Sequence, residues 1–333
     1  DAAACRQAEL AKPPGSLGAL EDVSIRMAGL TGRVKNRIDR CRVLVFAADN
    51  GVTAEGVSAT PVSVTLSQSI NMTRHITGMS ALAAAFGDSV VVTDVGIDAD
   101  VRCPEIVDRK IRRSTGDIAR EPAMTREQAL TAISVGMEQA QRAAQDGMQA
   151  VGIGEMGIGN STPATAINCA LFGFDPDEAT GPGAGSDPER VRHKAAIVRR
   201  ALEVNAAALK GDGVDILAAL GGFELAIMAG IMLGAASRSL PILVDGFICS
   251  AAYAAAVRIC PLVAQYAILS HASAEPGHVP ALGALDSGTP LLHLDMRLGE
   301  GTGGAVAYHL LRCAVNIFNE MATFAEAQVD EGL

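Results

Sequence analysis

The sequence predicts an α/β fold in which helices cover both faces of a mostly parallel sheet. Three observations lead there. Apolar runs rich in β-branched residues alternate with helical stretches, and several of these runs stop at an aspartate. The 333 residues are 49% hydrophobic but only 3% aromatic, with 35 glycines and no tryptophan, so small aliphatic side chains must pack the layers. Two glycine-rich segments, 152–162 and 297–304, each carry one glutamate at a turn into a helix.

The elements follow in order. Segment 12–18 (KPPGSLG) is a rigid turn entering a helix. Residues 42–49 (RVLVFAAD) and 89–95 (SVVVTDV) are continuous apolar runs, as strands buried on both faces require. Residues 149–154 form a third strand leading into the first glycine loop, 240–245 (LPILVD) a fourth and 266–270 (YAILS) a fifth. Helices are expected over 62–77, 125–144, 188–209 and 247–258, with a further one after Pro163. The apolar run 217–243 is interrupted by Glu224, Arg238 and Pro241 and broken by Gly221, Gly222 and Gly234, so it reads as a buried core helix and not a membrane span. From Gly301 onward the sequence predicts one long helix. Residues 1–35 and 301–333 are expected to pack together as a small helical subdomain, and 36–300 to form the large domain, a Rossmann-like three-layer unit carrying the active site.

In open parallel sheets, ligands bind beyond the carboxyl ends of the strands. Asp49-Asn50-Gly51, Asp94, Glu155, Asp245-Gly246 and Ser270-His271 all fall there. Gly157 and Gly159 precede three good cap residues, Asn160, Ser161 and Thr162, so free amides and the dipole of the following helix suit a phosphate. The segment 181–186 (GPGAGS), with Gly183, is a second candidate cradle, and Lys194 lies one or two helical turns beyond it. Lys194 also reads as a solvated helix position among Arg190, Arg192 and Arg199, and both glutamates as solvated turn residues.

The exclusions are equally informative. A net charge of −10 argues against a nucleic-acid surface. Seven cysteines without a C-x-x-C pair predict neither disulfides nor a zinc ribbon, and place the chain in a reducing cytoplasm. No segment reads as a signal peptide, and the start at Asp1 instead of Met predicts residues upstream. The remaining histidines lack metal-ligand spacing. No Walker loop, no G-x-G-x-x-G after the first strand and no G-x-S-x-G elbow occurs. The Asp-Asp pair with which ordinary phosphoribosyltransferases hold diphosphate and its metal is absent too. A nucleotide monophosphate bound without metal or cofactor, with a carboxylate acting as base, fits what remains.

Taken together, the segments KPPGSLGALE (12–21), AADNGVTAEGVSATP (47–61), NMTRHITG (71–78), VTDVGIDAD (92–100), GIGEMGIGNSTPATA (152–166), GGFELAIMAGIMLGAA (221–236), LPILVDGFICSAAYAA (240–255), SHASAEPGH (270–278) and RLGEGTGGAVA (297–307) resemble the nicotinate-nucleotide:dimethylbenzimidazole phosphoribosyltransferases of cobalamin lower-ligand assembly. The resemblance spans nearly the whole chain. It implies transfer of the ribose phosphate of nicotinate mononucleotide to a ring nitrogen of 5,6-dimethylbenzimidazole, with inversion at C1′. Glu300 matches the family's general base, and Glu155 a second carboxylate near the ribose. The 157–162 loop and Lys194 are expected on the phosphate, and Thr60 and Gln68 on the acceptor base; family members often carry Ser where Thr60 stands. Met296 and Leu298 are expected as apolar wall beside Glu300, and Gly183, Asp245, Gly246, Ser270 and His271 complete the substrate-binding set. The family is typically homodimeric. Other readings are a relative using another azole, a purine or a phenol, a non-catalytic nucleotide-binding protein, and a nucleosidase.

Overall fold

The computed structural model describes residues 1–330 apart from Ala184 and Ser186. Six strands, β1 (Cys41–Ala48), β2 (Ser89–Gly96), β3 (Val107–Asp108), β4 (Ala150–Met156), β5 (Ile242–Val244) and β6 (Ala267–Leu269), pair in parallel in the order 3-2-1-4-5-6. This is the order of a doubly wound sheet, reversing between β1 and β4. The helices of the first half are α1 (Ala2–Glu9), α2 (Ala19–Thr31), α3 (Val64–Thr73), α4 (Gly78–Phe86), α5 (Arg126–Gln145) and α6 (Ser161–Phe172). Those of the second half are α7 (Pro176–Ala179), α8 (Pro188–Val204), α9 (Gly213–Leu220), α10 (Phe223–Ala236), α11 (Phe247–Ile259), α12 (His278–Ala284), α13 (Thr302–Glu320) and α14 (Phe324–Ala327). Among the described residues, no helix is long and apolar enough to cross a membrane.

Alternation along β1 shows why both faces are covered. Leu44, Phe46 and Ala48 enter the core built with α5, α6, α9, α10 and α11, whereas Val43, Val45 and Ala47 enter the one built with α3 and α4. Each such burial of a valine, leucine or phenylalanine contributes roughly 1.5–3 kcal/mol. The α10 helix is buried on every side because α5 lies over it. That contact is backbone to backbone: a methyl on Gly234 would stand 2.7 Å from the Met137 Cα, and Gly136 and Gly230 likewise meet the facing main chain. On the opposite face, α1 and α2 pack with α13, while α13 also lies on β4 and β5.

Several sequence expectations change in detail. The helix expected over 62–77 is shorter, α3 ending at Thr73, because His75 turns left-handed (φ 57°) and Thr77 already caps the next helix, α4, in a box with Ser80. The run 217–243 holds α9, α10 and the start of β5, divided by Gly221 and Gly222. The long terminal helix stops at Glu320, where Met321 turns extended and Thr323 bridges back to Leu10. Strand β4 extends to Met156, so Gly152, Gly154 and Glu155 belong to the sheet and not to a loop.

Candidate active site

A cavity of about 570 Å³ opens at the carboxyl ends of β1, β4 and β5. Of the residues expected there, Thr60, Gln68, Glu155, Gly157, Gly159, Asn160, Ser161, Gly183, Lys194, Asp245, Gly246, His271, Leu298 and Glu300 line it. Thr162, Ser270 and Met296 do not. Thr162 is buried behind the wall, and its hydroxyl has no partner among the described residues. The Ser270 hydroxyl donates to the Asp245 carbonyl at 3.0 Å. Met296 is tied by its carbonyl to the Ala274 N–H (3.1 Å), and Val64 and Met156 supply apolar wall instead.

Glu300 stands at the tip of an unusual turn. Gly299, Glu300 and Gly301 are all left-handed (φ 84°, 65° and 88°), and a glutamate there costs about 1–3 kcal/mol. The absence of a side chain on Gly154 admits the turn, since a methyl on Gly154 would stand 2.7 Å from the Gly301 nitrogen. Asp245 holds it in place. Its Oδ2 accepts from the Gly301 N–H (3.0 Å) and its Oδ1 from Gly303 and Gly304 (2.7 and 3.1 Å), capping α13 from a distant strand. His271 Nδ1 lies 3.5 Å from the same carboxylate. The Asp245 carboxylate, expected on substrate, is thus engaged by the helix start. The Glu300 carboxyl reaches the start of α4, where the Met79 N–H donates to it at 3.4 Å. Burial raises its pKa, while Thr77 and that N–H favour its charge.

Glu155 faces Glu300 across the turn, its Oε1 2.6 Å from where a side chain on Gly299 would begin. Burial pushes its pKa up to about 7, against the pull of the Asn160 amide that donates to it. Asn160 therefore does not cap α6, as its position suggested; its side chain serves the carboxylate.

At the other end of the cavity Lys194 is buried, donating to Ser161 Oγ at 2.8 Å and to the Gly181 carbonyl at 3.2 Å. It is not a solvated helix position. Burial lowers its pKa to about 8, with Glu275 opposing. The segment 181–186 does not act as the cradle expected: the Gly183 N–H is taken by Glu275 Oε1 (3.0 Å), and Ala184 and Ser186 lie outside the described residues. Three amides of the 157–162 loop are also committed: Ile158 donates to the Thr65 hydroxyl at 3.1 Å, Asn160 to the Gly157 carbonyl at 3.1 Å and Thr162 to the Gly159 carbonyl at 3.0 Å. A buried lysine, a hydroxyl and a helix start at one end, with two carboxylates of raised pKa at the other, suit an anionic nucleotide whose sugar carbon faces both acids. A family model described as "Phosphoribosyltransferase" matches residues 1–329. The chain belongs to this phosphoribosyltransferase family.

Individual relatives agree with that membership. The nicotinate-nucleotide–dimethylbenzimidazole phosphoribosyltransferase of Solidesulfovibrio magneticus is 48% identical over 326 residues, spanning 97% of this chain and 92% of that protein. The enzyme of the same name from Chloroflexus aggregans is 45% identical over 331 residues, spanning 99% and 93%. The crystal structure of CobT from Thermus thermophilus matches with a TM-score of 0.93 at 41% identity, covering 99% of this chain and 98% of that one.

The cavity also holds residues that the sequence reading left unassigned. Arg190 lines the cavity, and its spacing of four from Lys194 on one helix was the available signal. Arg297, inside the RLGEGTGG segment, lines the cavity and donates to the Gly183 carbonyl at 2.9 Å, tying the segment of Glu300 to that of Gly183. Ser273 and Glu275 line it as well; the SHASAEPGH segment that holds them carries the family resemblance, but neither residue was given a role.

Proposed function

We propose that this phosphoribosyltransferase moves the ribose phosphate of nicotinate mononucleotide onto 5,6-dimethylbenzimidazole, releasing nicotinate and α-ribazole 5′-phosphate, as a step of cobalamin synthesis. The observation that carries this reading is the placement of Glu300 on a strained turn, buried beside Glu155 and across one cavity from Lys194. The nucleotide phosphate sits against Lys194, Ser161 and the start of α6. Glu155 faces the ribose and, when charged, stabilises positive charge developing at C1′. The benzimidazole lies between Thr60, Val64, Gln68 and Leu298, with its N–H toward Glu300. Its other ring nitrogen attacks C1′ as the bond to nicotinate breaks; the bonding pair leaves on the nicotinate nitrogen, and the N–H proton passes to Glu300.

Incubation of the purified protein with nicotinate mononucleotide, with and without the azole, tests the reaction. Nicotinate released only with azole supports it; equal release without azole makes the protein a hydrolase. Lys194→Ala raises KM for the nucleotide about 10- to 100-fold with a smaller change in kcat, because a charged hydrogen bond to phosphate contributes roughly 1.5–3 kcal/mol. Steady-state kinetics at saturating azole reads this directly. The full reading places the enzyme in the cytoplasm as a homodimer, and exposed Ile76 and Leu298, 65% and 59% accessible, provide apolar surface near the cavity for a second copy. Sedimentation of the purified chain measures the oligomer.

A further inference from the structure

Glu224 has no part in the reaction just described, yet it is completely buried at the start of α10. The charges that face it belong to Asp49 at the end of β1 and Glu155 at the end of β4, both acids. Arg112 stacks on the ring of the neighbouring Phe223, 5.8 Å from its centroid. Helices α5 and α11, packed on α10, bring apolar side chains and the Cys249 thiol, which lies against Met228. Asn50 donates its side-chain N–H to Glu224 Oε1 at 3.0 Å. The other oxygens of this pair, Asn50 Oδ1 and Glu224 Oε2, are both buried acceptors without a donor among the described residues. One proton on Oε2 supplies the missing donor and satisfies both, closing an acid–amide pair with two hydrogen bonds.

The pair has a path to the cavity. The Asn50 and Asn160 amide nitrogens pack on the same bare glycine, 3.2 and 3.3 Å from where a side chain on Gly157 would begin. Asn160 gives its amide to Glu155. We propose that Glu224 stands as the neutral acid paired with Asn50, and that this pair is the positioning element that sets Asn160 against Glu155. Burial, which pushes Glu224 up to about 8, agrees with the neutral form. The proposal rests on Glu155 being the ribose-side carboxylate of the reaction above.

Two readouts test it. Infrared spectroscopy of the substrate-free protein at neutral pH shows the carbonyl stretch of buried protonated carboxyls, and Glu224→Gln removes one carboxyl's share of that band. The same band in wild type and Glu224→Gln would overturn the assignment, whatever the enzyme's substrates. In turnover, Glu224→Gln keeps kcat within about twofold of wild type, because an amide reproduces both bonds of the neutral acid. Glu224→Leu and Asn50→Ala each lower kcat about 10- to 100-fold while KM for the nucleotide changes less, as misplacement of a reacting group does. Should Glu224→Leu fail to fold, Asn50→Ala carries the comparison. A folded Asn50→Ala with wild-type kcat, or a Glu224→Gln that loses kcat like the leucine variant, would overturn the positioning role. Wild-type protein that turns over neither substrate would count against the proposed reaction and leave the infrared result standing.

Discussion

Glu300→Gln lowers kcat about 10²–10⁴-fold while leaving the fold intact, the contribution expected of one positioned general base. The amide occupies the same volume on the same left-handed turn and still accepts from the Met79 N–H, but it cannot take a proton. The pH profile adds a second mark. Glu300 and Glu155 both have raised pKa values through burial, Glu155 to about 7, and in the proposed reaction each works as the anion. Wild-type kcat/KM therefore climbs as pH rises through the shifted range of the two acids and falls on the acid side. That limb belongs to the pair. In Glu300→Gln the residual rate keeps only the part due to Glu155. Equal turnover of the glutamine variant and wild type would remove Glu300 from the chemistry.

Asp245→Ala lowers stability by about 3 kcal/mol or more and abolishes most turnover, since it orphans three buried N–H groups at roughly 1–3 kcal/mol each. The N–H groups of Gly301, Gly303 and Gly304 open α13 and fix the turn that carries Glu300. Denaturant unfolding of Asp245→Ala beside Glu300→Gln separates the two effects: the first variant loses stability and activity together, the second activity alone. Asp245→Asn falls between, because its Oδ1 still accepts from Gly303 and Gly304 while its amide faces the Gly301 N–H. A fully stable Asp245→Ala would show that water replaces the carboxylate without consequence.

Much of the fold was legible because buried parallel strands are apolar on both faces; residues 42–49 and 89–95 show it without help from tertiary context. The edge strand β3 was not, since two residues, Val107 and Asp108, carry no period. The break at 74–77 depends on a left-handed His75, a conformation that sequence pattern does not announce. At the site, Glu155 and Glu300 stood out because glycine adjoins them, whereas Lys194 read locally as a solvated helix position too and was set on the phosphate by the family resemblance. The duty of Asp245 could not, because its partners lie 56 to 59 residues away and the bond exists only once α13 docks on the sheet. Glu224 was visible only as an interruption of an apolar run. Its pairing with Asn50 spans 174 residues.

The central claim is that the leaving nicotinate and the incoming azole occupy opposite faces of C1′, with Glu300 on the azole side and Glu155 as a charged neighbour that forms no bond. The anomeric configuration of the ribosyl product, read by proton NMR after one round of turnover on β-nicotinate mononucleotide, tests this most directly. A product wholly in the α configuration is the result predicted by a single displacement. A β product would contradict it, requiring two successive displacements with Glu155 as the covalent nucleophile in the first.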